Sequence, residues 1–129
     1  MEQLRILFVD DETELVATVV ERLQLRSFAA RGATSGAEAL AEMNTHTYDV
    51  VILDVIMPGI GGLKVLDEIQ RMRSRPAVVL LSGHGSSETV EEGLRLGAFA
   101  YLQKPVDIDK LLAVVRQAAD RSRDTTAPA

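Results

Sequence analysis

The sequence predicts an α/β fold, a doubly wound five-stranded parallel sheet with helices on both faces. Three observations lead to this prediction. Short, continuous apolar runs rich in Val, Ile and Leu alternate with longer amphipathic segments, five times along the chain. Such runs are typical of parallel strands covered on both faces, and the alternation implies right-handed crossover connections. The chain has 129 residues and is 47% hydrophobic, so it is the size of one domain and can bury a substantial core.

The first part of the chain predicts strand, helix, strand and helix in that order. Residues 6–9 are a continuous apolar run and form the first strand. The helix that follows has an apolar stripe at four-residue spacing, formed by Leu15, Val19 and Leu23. Residues 27–31 are a weaker strand candidate. Ser35 and Glu38 have the spacing of a capping box, which predicts a helix that ends near Met43.

The middle of the chain repeats the pattern with stronger strands. Residues 50–53 and 77–81 are continuous apolar runs, and both predict buried strands. Between them lies an amphipathic helix whose apolar stripe is formed by Leu63, Leu66 and Ile69. Residues 98–102 are a weaker candidate for the fifth strand.

The last two helices are predicted from their capping residues. Ser86 or Ser87 is a candidate N-cap for a helix that runs through Leu96 and is stopped by Gly97. Asp107 is the candidate N-cap of a final helix that runs to about Arg121. The predicted elements therefore form five strand–helix pairs.

Composition and charge limit the classes of protein to which the chain belongs. We expect one domain over residues 1–121, then a polar tail or the start of an interdomain linker over residues 122–129. The net charge of −5 argues against direct binding to nucleic acid or an anionic membrane. The absence of cysteine excludes disulfides and thiolate metal sites. No apolar run suits a transmembrane helix or a signal peptide, so we expect a cytoplasmic protein.

The candidate functional residues follow the carboxyl ends of the predicted strands. Asp10 and Asp11 follow the first strand, Asp54 the third, Ser82 the fourth and Lys104 the fifth. In open α/β sheets ligands bind outside these ends, at the point where the strand order reverses. With the strand order 2-1-3-4-5, that point lies between strands one and three. The sequence therefore predicts three carboxylates in one crevice.

These residue types predict a site for a divalent cation and a phosphoryl group. Adjacent carboxylates raise one another's pKa unless a cation compensates them, and both Mg²⁺ and the ammonium of Lys104 suit that role. Asp54 lies centrally and is the candidate nucleophile. Each Asp taken alone is more often a helix cap or turn former than a ligand. The coincidence of polar residues at four strand ends favours a site.

Four motifs in this order resemble one known family. They are F-V-D-D-E at 8–12, I-L-D-V-I-M-P-G-I-G-G at 52–62, L-L-S-G-H-G at 80–85 and Y-L-Q-K-P at 101–105. With them the chain resembles a receiver domain of a bacterial two-component response regulator over about residues 4–120. The resemblance implies the flavodoxin-like receiver fold. It also implies a signalling domain in a phosphorelay rather than an enzyme, apart from its own phosphorylation and dephosphorylation.

The resemblance also assigns roles to the acidic residues. It implies that Asp54 accepts a phosphoryl group from the phosphohistidine of a sensor histidine kinase or a histidine phosphotransfer protein. Asp11, Asp54 and the backbone carbonyl of Ile56 would bind Mg²⁺ directly, and Asp10 would act through bound water. Lys104 would pair with Asp54 and then with the phosphoryl oxygens.

Further implied roles concern the loops and the switch. Pro58 and Gly62 would shape the loop after the acceptor, and the peptide bond before Pro105 would be cis. Phosphorylation would draw in Ser82, and Tyr101 would turn inward. This change would act on the face formed by helix 4, strand 5 and helix 5, where an output domain, a downstream protein or a second copy docks.

Several alternatives stay open at this point. The chain fits a fragment of a larger regulator or a stand-alone phosphorelay shuttle. An Asp-dependent phosphatase would need an acid/base Asp at the position of Ile56. A flavodoxin-like FMN carrier would need a loop after the first strand without acidic residues. A receiver domain that is never phosphorylated is disfavoured by the complete set of acidic residues. We hypothesise that the apolar Ile56 slows loss of phosphate from Asp54. His84 either modulates the pocket or is an exposed loop residue, and His46 has no predicted role.

Overall fold

The computed structural model describes residues 3–83 and 87–126, and it contains the predicted alternation of strands and helices. The strands in these ranges are Arg5–Val9 (β1), Ala29–Ala33 (β2), Val50–Asp54 (β3), Ala77–Ser82 (β4) and Ala100–Gln103 (β5). The helices are Thr13–Leu25 (α1), Gly36–Thr45 (α2), Gly62–Gln70 (α3), Ser87–Arg95 (α4) and Ile108–Thr126 (α5).

The strands form one parallel sheet in the order β2-β1-β3-β4-β5, which confirms the predicted order. The register aligns the carboxyl ends of the central strands. Val9 lies opposite Leu53, and Asp54 lies opposite Leu81. The residues that follow β1, β3 and β4 therefore emerge at the same edge of the sheet. The strand order reverses between β1 and β3, so the predicted crevice lies at this edge.

The hydrophobic core has one cluster on each face of the sheet, which explains why the central strands are apolar without interruption. On one face β1 contributes Ile6 and Phe8, which pack with residues of α1 and α5 such as Leu23 and Val115. On the other face β1 contributes Leu7 and Val9, which pack with residues of α3 that include Val65, Leu66 and Ile69. Both faces of each central strand are thus removed from water.

Two of the predicted helix caps are present. The hydroxyl of Ser35 accepts a hydrogen bond from the backbone N–H of Glu38 at 3.1 Å, at the start of α2. The Glu38 carboxylate accepts from the hydroxyl of Thr34, so the capping box is only half formed. The carboxylate of Asp107 accepts from the backbone N–H of Asp109 at 2.9 Å and opens α5. Helix α4 runs from Ser87 to Arg95, so Ser87 is its first residue and not its N-cap, and the other candidate cap, Ser86, lies outside the described residues.

Strand β2 begins two residues later than the sequence predicts. Ser27 has a φ of 69°, a left-handed conformation that makes the turn after α1 and excludes it from a strand. Strand β5 also begins two residues late, because Gly97 has a φ of 104° and the backbone N–H of Ala98 still bonds to the carbonyl of Gly93. Both weaker predictions therefore identify a strand correctly but place its start two residues too early.

Helix α5 is longer than predicted and ends at Thr126 instead of near Arg121. Polar and charged residues continue a helix where no proline or glycine interrupts them, and the first proline after this point is Pro128. The boundary between the domain and its tail stays a prediction. Within the described ranges, none of the helices combines the length and the apolar character that crossing a bilayer requires.

Candidate functional site

The carboxylates of Asp10, Asp11 and Asp54 meet at the carboxyl edge of the sheet, as predicted. Each offers an oxygen, and these oxygens all lie within 4.8 Å of one another. Asp10 and Asp54 are buried, whereas Asp11 is exposed. Strands β1 and β3 are neighbours, so the two buried carboxylates lie next to each other near the centre of the sheet edge. The site is thus open to solvent on the side of Asp11.

Asp10 has a structural role as well as a place in this cluster. Its Oδ1 accepts a hydrogen bond from the backbone N–H of Glu12 at 2.9 Å and shapes the turn into α1. Glu12 is the N-cap residue of that helix, but its side chain makes no capping hydrogen bond. Oδ2 of Asp10 lies 2.7 Å from Nζ of Lys104. The turn-forming interpretation and the site interpretation therefore both apply to this residue.

Lys104 connects the acidic residues. Its Nζ lies 2.7 Å from Oδ2 of Asp10, 3.1 Å from Oε1 of Glu12 and 3.2 Å from Oδ2 of Asp54. The backbone N–H of Lys104 donates to the carbonyl of Ser82, which continues the β4–β5 pairing and aims the side chain into the crevice. Burial alone would lower the pKa of Lys104. The adjacent carboxylates of Asp10, Glu12 and Asp54 outweigh burial and raise that pKa.

Glu12 was not among the predicted site residues. Its place directly after the Asp pair was a signal, but a Glu at the start of a helix is common without any partner. The contact with Lys104 depends on the cross-sheet position of a residue 92 positions away. The sequence alone therefore does not show that Glu12 and Lys104 are in contact.

The carboxyl group of Asp54 is electrostatically unusual. Burial raises its pKa, the nearby charge of Asp10 raises it further, and the backbone N–H of Ile56 and the ammonium of Lys104 oppose the rise. The Ile56 N–H donates to Oδ1 at 3.2 Å. The ionised form is therefore under strain in this crevice, and an additional cation would relieve it.

The donor set fits Mg²⁺. Three carboxylates and Glu12 face a single ammonium, so negative charge exceeds positive charge in this cluster. Oδ2 of Asp10 is buried and has no hydrogen bond of good geometry among the described residues, although the ammonium of Lys104 lies beside it. Oxygen donors of this kind, with one side open to water, match the preference of Mg²⁺ for carboxylates and retained water. The role of the Ile56 backbone carbonyl as a Mg²⁺ ligand stays a prediction.

The loop after Asp54 packs closely against that residue. A Cβ at Gly62 would lie 2.3 Å from the Asp54 carbonyl oxygen and 2.7 Å from the Cα of Val55, so only glycine fits there. The backbone N–H of Gly62 donates to the carbonyl of Val55 at 3.0 Å and closes the loop around Pro58. Ile56 is 60% exposed and stands at the rim of the crevice.

The remaining predicted residues lie on or near β4 and β5. Ser82 is buried at the end of β4, one position beyond the partner of Asp54 in the register. Tyr101 lies on β5 and is 49% exposed, so its side chain is not turned inward in this structure. The peptide bond between Lys104 and Pro105 is cis, as expected. His84 lies outside the described residues.

Comparisons with known proteins support one family. Residues 6–116 match the family model described as the response regulator receiver domain. The chain is 37% identical over 114 residues to the regulatory protein AtoC of Escherichia coli, and the match covers 88% of this chain and 25% of AtoC. It is 33% identical over 120 residues to the nitrogen assimilation regulatory protein NtrX of Azorhizobium caulinodans, which covers 92% of this chain and 26% of NtrX. The chain thus spans about a quarter of the length of these curated relatives.

Solved structures have the same fold. A CheY-like response regulator receiver domain protein from Methanospirillum hungatei superposes with a TM-score of 0.90 at 25% identity, over 96% of this chain and 99% of that one. NtrX from Brucella abortus superposes with a TM-score of 0.88 at 33% identity, over 96% of this chain and 28% of NtrX.

Proposed function

The chain belongs to the response regulator receiver domain family, and on that basis we propose that Asp54 is its phosphoacceptor. One observation carries this proposal. The carboxylate of Asp54 stands at the end of the central strand β3, with the Lys104 ammonium 3.2 Å away and two more carboxylates beside it. A carboxylate that is fixed, paired with a cation and adjacent to a metal-binding cluster is suited to attack phosphorus.

The reaction is a transfer of one phosphoryl group. A carboxylate oxygen of Asp54 forms a bond to phosphorus as the N–P bond of a donor phosphohistidine breaks, and the imidazole leaves with the electron pair of that bond. Lys104 first holds the ionised carboxylate and then lies beside the new phosphoryl oxygens, where its charge offsets theirs. The hydroxyl of Ser82 emerges at the same edge of the sheet and is the proposed donor to a phosphoryl oxygen.

Mg²⁺ is the proposed cofactor, with Asp10, Asp11, Asp54 and the backbone carbonyl of Ile56 as the groups that would hold it or its bound water. When bound, the ion would neutralise charge on the transferring phosphoryl group. The excess of carboxylates over ammonium groups in the crevice supports this assignment.

The proposed switch runs from Ser82 to Tyr101. Engagement of the Ser82 hydroxyl by the phosphoryl group would favour a state in which Tyr101, half exposed here, turns inward. The altered surface would be the face of α4, β5 and α5. An output domain, a downstream protein or a second copy of the chain is the proposed reader of that face.

The proposed donor is a sensor histidine kinase or a histidine phosphotransfer protein, and the proposed location is the cytoplasm. About three quarters of AtoC lies outside its match to this chain. This supports the proposal that the domain controls an output region. The net charge of −5 supports a role that involves no direct contact between this domain and nucleic acid.

Labelling by a small phosphoryl donor tests the proposal. We expect acetyl phosphate with Mg²⁺ to add one phosphoryl group, detected by intact mass, and we expect chelation of Mg²⁺ to abolish the addition. Asp54→Asn should remove labelling, whereas Asp120→Asn, which changes an exposed Asp on α5, should retain it. Labelling that persists in Asp54→Asn would overturn the assignment of the acceptor. Equal labelling with and without chelator would overturn the assignment of Mg²⁺.

A further inference from the structure

A cavity of about 430 Å³ lies at the end of the sheet opposite Asp54. Its wall is formed by the start of β1, the end of α1, the first residues of β2 and the loop before β3. Arg5, at the start of β1, lines it, and Asp10 follows the other end of the same strand. At about 3.3 Å per residue, the cavity and the acidic crevice are roughly 16 Å apart along β1. The cavity is therefore separate from the phosphoacceptor site.

The charged groups that line this cavity are all basic. Arg5, Arg31 and His46 line it together with the phenol of Tyr48, and none of its lining residues is acidic. This is unusual in a chain with a net charge of −5. The cavity therefore favours a ligand that carries negative charge.

The two arginines differ in what they already contact. Nε of Arg31 lies 2.9 Å from Oε1 of Glu42, so this guanidinium is compensated. The same Oε1 accepts a hydrogen bond from the hydroxyl of Tyr48 at 2.6 Å, which places the carboxylate directly behind the cavity wall. The guanidinium of Arg5 donates to the hydroxyl of Thr47 at 3.1 Å, and no carboxylate of the described residues forms an ion pair with it. The Arg5 guanidinium is thus the one in this cavity without an ion pair among the described residues, although the backbone N–H of Arg5 donates to Oδ2 of Asp49 at 2.8 Å.

The rest of the wall suits an apolar group. Phe28, Ala29 and Ala30 line the cavity next to the arginines, and the guanidinium of Arg116 lies 5.8 Å from the centroid of the Phe28 ring. Cavities that hold small organic molecules commonly have volumes in this range, apolar walls and a few polar groups that orient the ligand. A ligand with one charged end and an apolar body matches that pattern.

We propose that this cavity binds a small organic monocarboxylate, with its carboxylate on Arg5 and its apolar body against Phe28. A planar guanidinium pairs with a carboxylate through two parallel hydrogen bonds. One guanidinium without an ion pair balances one negative charge, and Glu42 behind the wall repels a second. Inorganic phosphate, which is partly a dianion near neutral pH, is therefore disfavoured. The site does not depend on the chemistry of Asp54.

Titration of the full chain with 3-phenylpropionate, followed by ¹⁵N–¹H NMR, tests this site. We expect saturable shifts of the backbone amides of Arg5, Ala30 and Thr47, with no comparable shifts from 3-phenylpropanamide or inorganic phosphate. Arg5→Gln should weaken binding about tenfold or more, because it removes a charge-assisted bidentate pair. Arg5→Lys keeps the positive charge but lacks the planar guanidinium, so its affinity should lie between that of the unaltered chain and that of Arg5→Gln. Arg73→Gln, at an exposed arginine in the loop before β4, should bind as the unaltered chain does.

Each other outcome overturns the proposal. An absence of saturable shifts at 3-phenylpropionate concentrations up to about 10 mM would show that the cavity is not a binding site for this ligand class. Equal affinity of Arg5→Gln, with its spectrum otherwise unchanged, would remove Arg5 as the anchor. If 3-phenylpropanamide binds as tightly as 3-phenylpropionate, the site does not require a negative charge. If inorganic phosphate binds more tightly than 3-phenylpropionate, the site is an inorganic-anion site and not one for organic monocarboxylates.

Discussion

Nζ of Lys104 lies 3.2 Å from Oδ2 of Asp54, although 50 positions separate the two residues in the sequence. They meet because β3 and β5 flank β4 in a parallel sheet, so that their carboxyl ends face the same edge. The same ammonium also contacts Asp10 and Glu12. One cation therefore serves three carboxylates, and its removal should affect metal binding and phosphorylation in different ways.

Lys104→Gln should separate these two properties. The ammonium competes with Mg²⁺ for the carboxylates, so we expect Mg²⁺ to bind several-fold more tightly when it is removed. Labelling by acetyl phosphate at saturating Mg²⁺ should slow by about tenfold or more, since the charge that offsets the phosphoryl oxygens is gone. An NMR titration with Mg²⁺ and a labelling time course provide the two measurements. Lys110→Gln is the matched control, and weaker Mg²⁺ binding in Lys104→Gln would contradict the prediction.

Ile56→Asn should shorten the lifetime of the phosphorylated state. Ile56 is 60% exposed at the rim of the crevice and presents no group that orients an attacking water. An amide at this position supplies such a group, so we expect dephosphorylation to accelerate several-fold. The decay of phosphorylated protein after removal of the donor measures this rate. Ile60→Asn, in the same loop, should leave it unchanged, and an unaltered lifetime in Ile56→Asn would refute the hypothesis.

Gly97→Ala should destabilise the fold more than Gly59→Ala. Both glycines have positive φ, 104° at Gly97 and 76° at Gly59. A Cβ at Gly97 would lie 2.0 Å from Nε2 of Gln70, which donates to the carbonyl of Leu96, whereas Gly59 has open space. We expect Gly59→Ala to cost about 1 kcal/mol of unfolding free energy, from backbone strain alone. Gly97→Ala should cost about 0.5–1.5 kcal/mol more, because a part-buried hydrogen bond is also lost.

Urea denaturation of the two glycine variants provides that comparison. Gln70→Ala in the Gly97→Ala background removes the side chain that the new methyl group meets. Its further cost should therefore be smaller than in the unaltered chain. Equal losses for Gly97→Ala and Gly59→Ala would show that the Gln70 contact does not contribute.

The stabilising effect of Tyr48 should depend on pH. The Tyr48 hydroxyl is the main group that lowers the pKa of Glu42 from its ordinary value of 4.5, with Arg31 as a further contributor. A carboxylate whose pKa is lowered by folding stabilises the fold above its unfolded pKa, and it loses this effect as pH falls through the folded value. The difference in unfolding free energy between the unaltered chain and Tyr48→Phe should therefore shrink below about pH 4.5.

Chemical denaturation at several pH values measures this difference. Tyr101→Phe, at a half-exposed tyrosine, is the control and should show no such trend. A Tyr48→Phe difference that stays constant from neutral to acidic pH would show that the hydrogen bond to Glu42 does not set this dependence.

The sequence was most informative where one rule applied to several residues. Asp10, Asp54 and Lys104 were correctly expected at one edge because parallel strands align their carboxyl ends. Glu12 was missed, because its contact depends on the direction of one side chain at a helix start. The start of β2 was misplaced because nothing in the sequence marks Ser27 as left-handed.

The basic cavity was also beyond sequence reasoning. Arg5, Phe28 and Thr47 come from separate segments, and none belongs to a recognisable motif. Only the pairing of β1 with β2 and β3 brings those segments together. Ion pairing is likewise invisible in the sequence, since the guanidinium of Arg31 pairs with a carboxylate and that of Arg5 pairs with none among the described residues.

The contact of Gly62 with the Asp54 backbone offers a way to silence the domain without altering any of its reactive groups. A methyl group at position 62 would meet the Asp54 carbonyl at 2.3 Å, and main chain is poorly able to yield. Asp54, the proposed acceptor, would be displaced while every carboxylate, hydroxyl and ammonium stays chemically intact. Gly62→Ala is thus a genetic tool complementary to Asp54→Asn, since it retains the negative charge of Asp54.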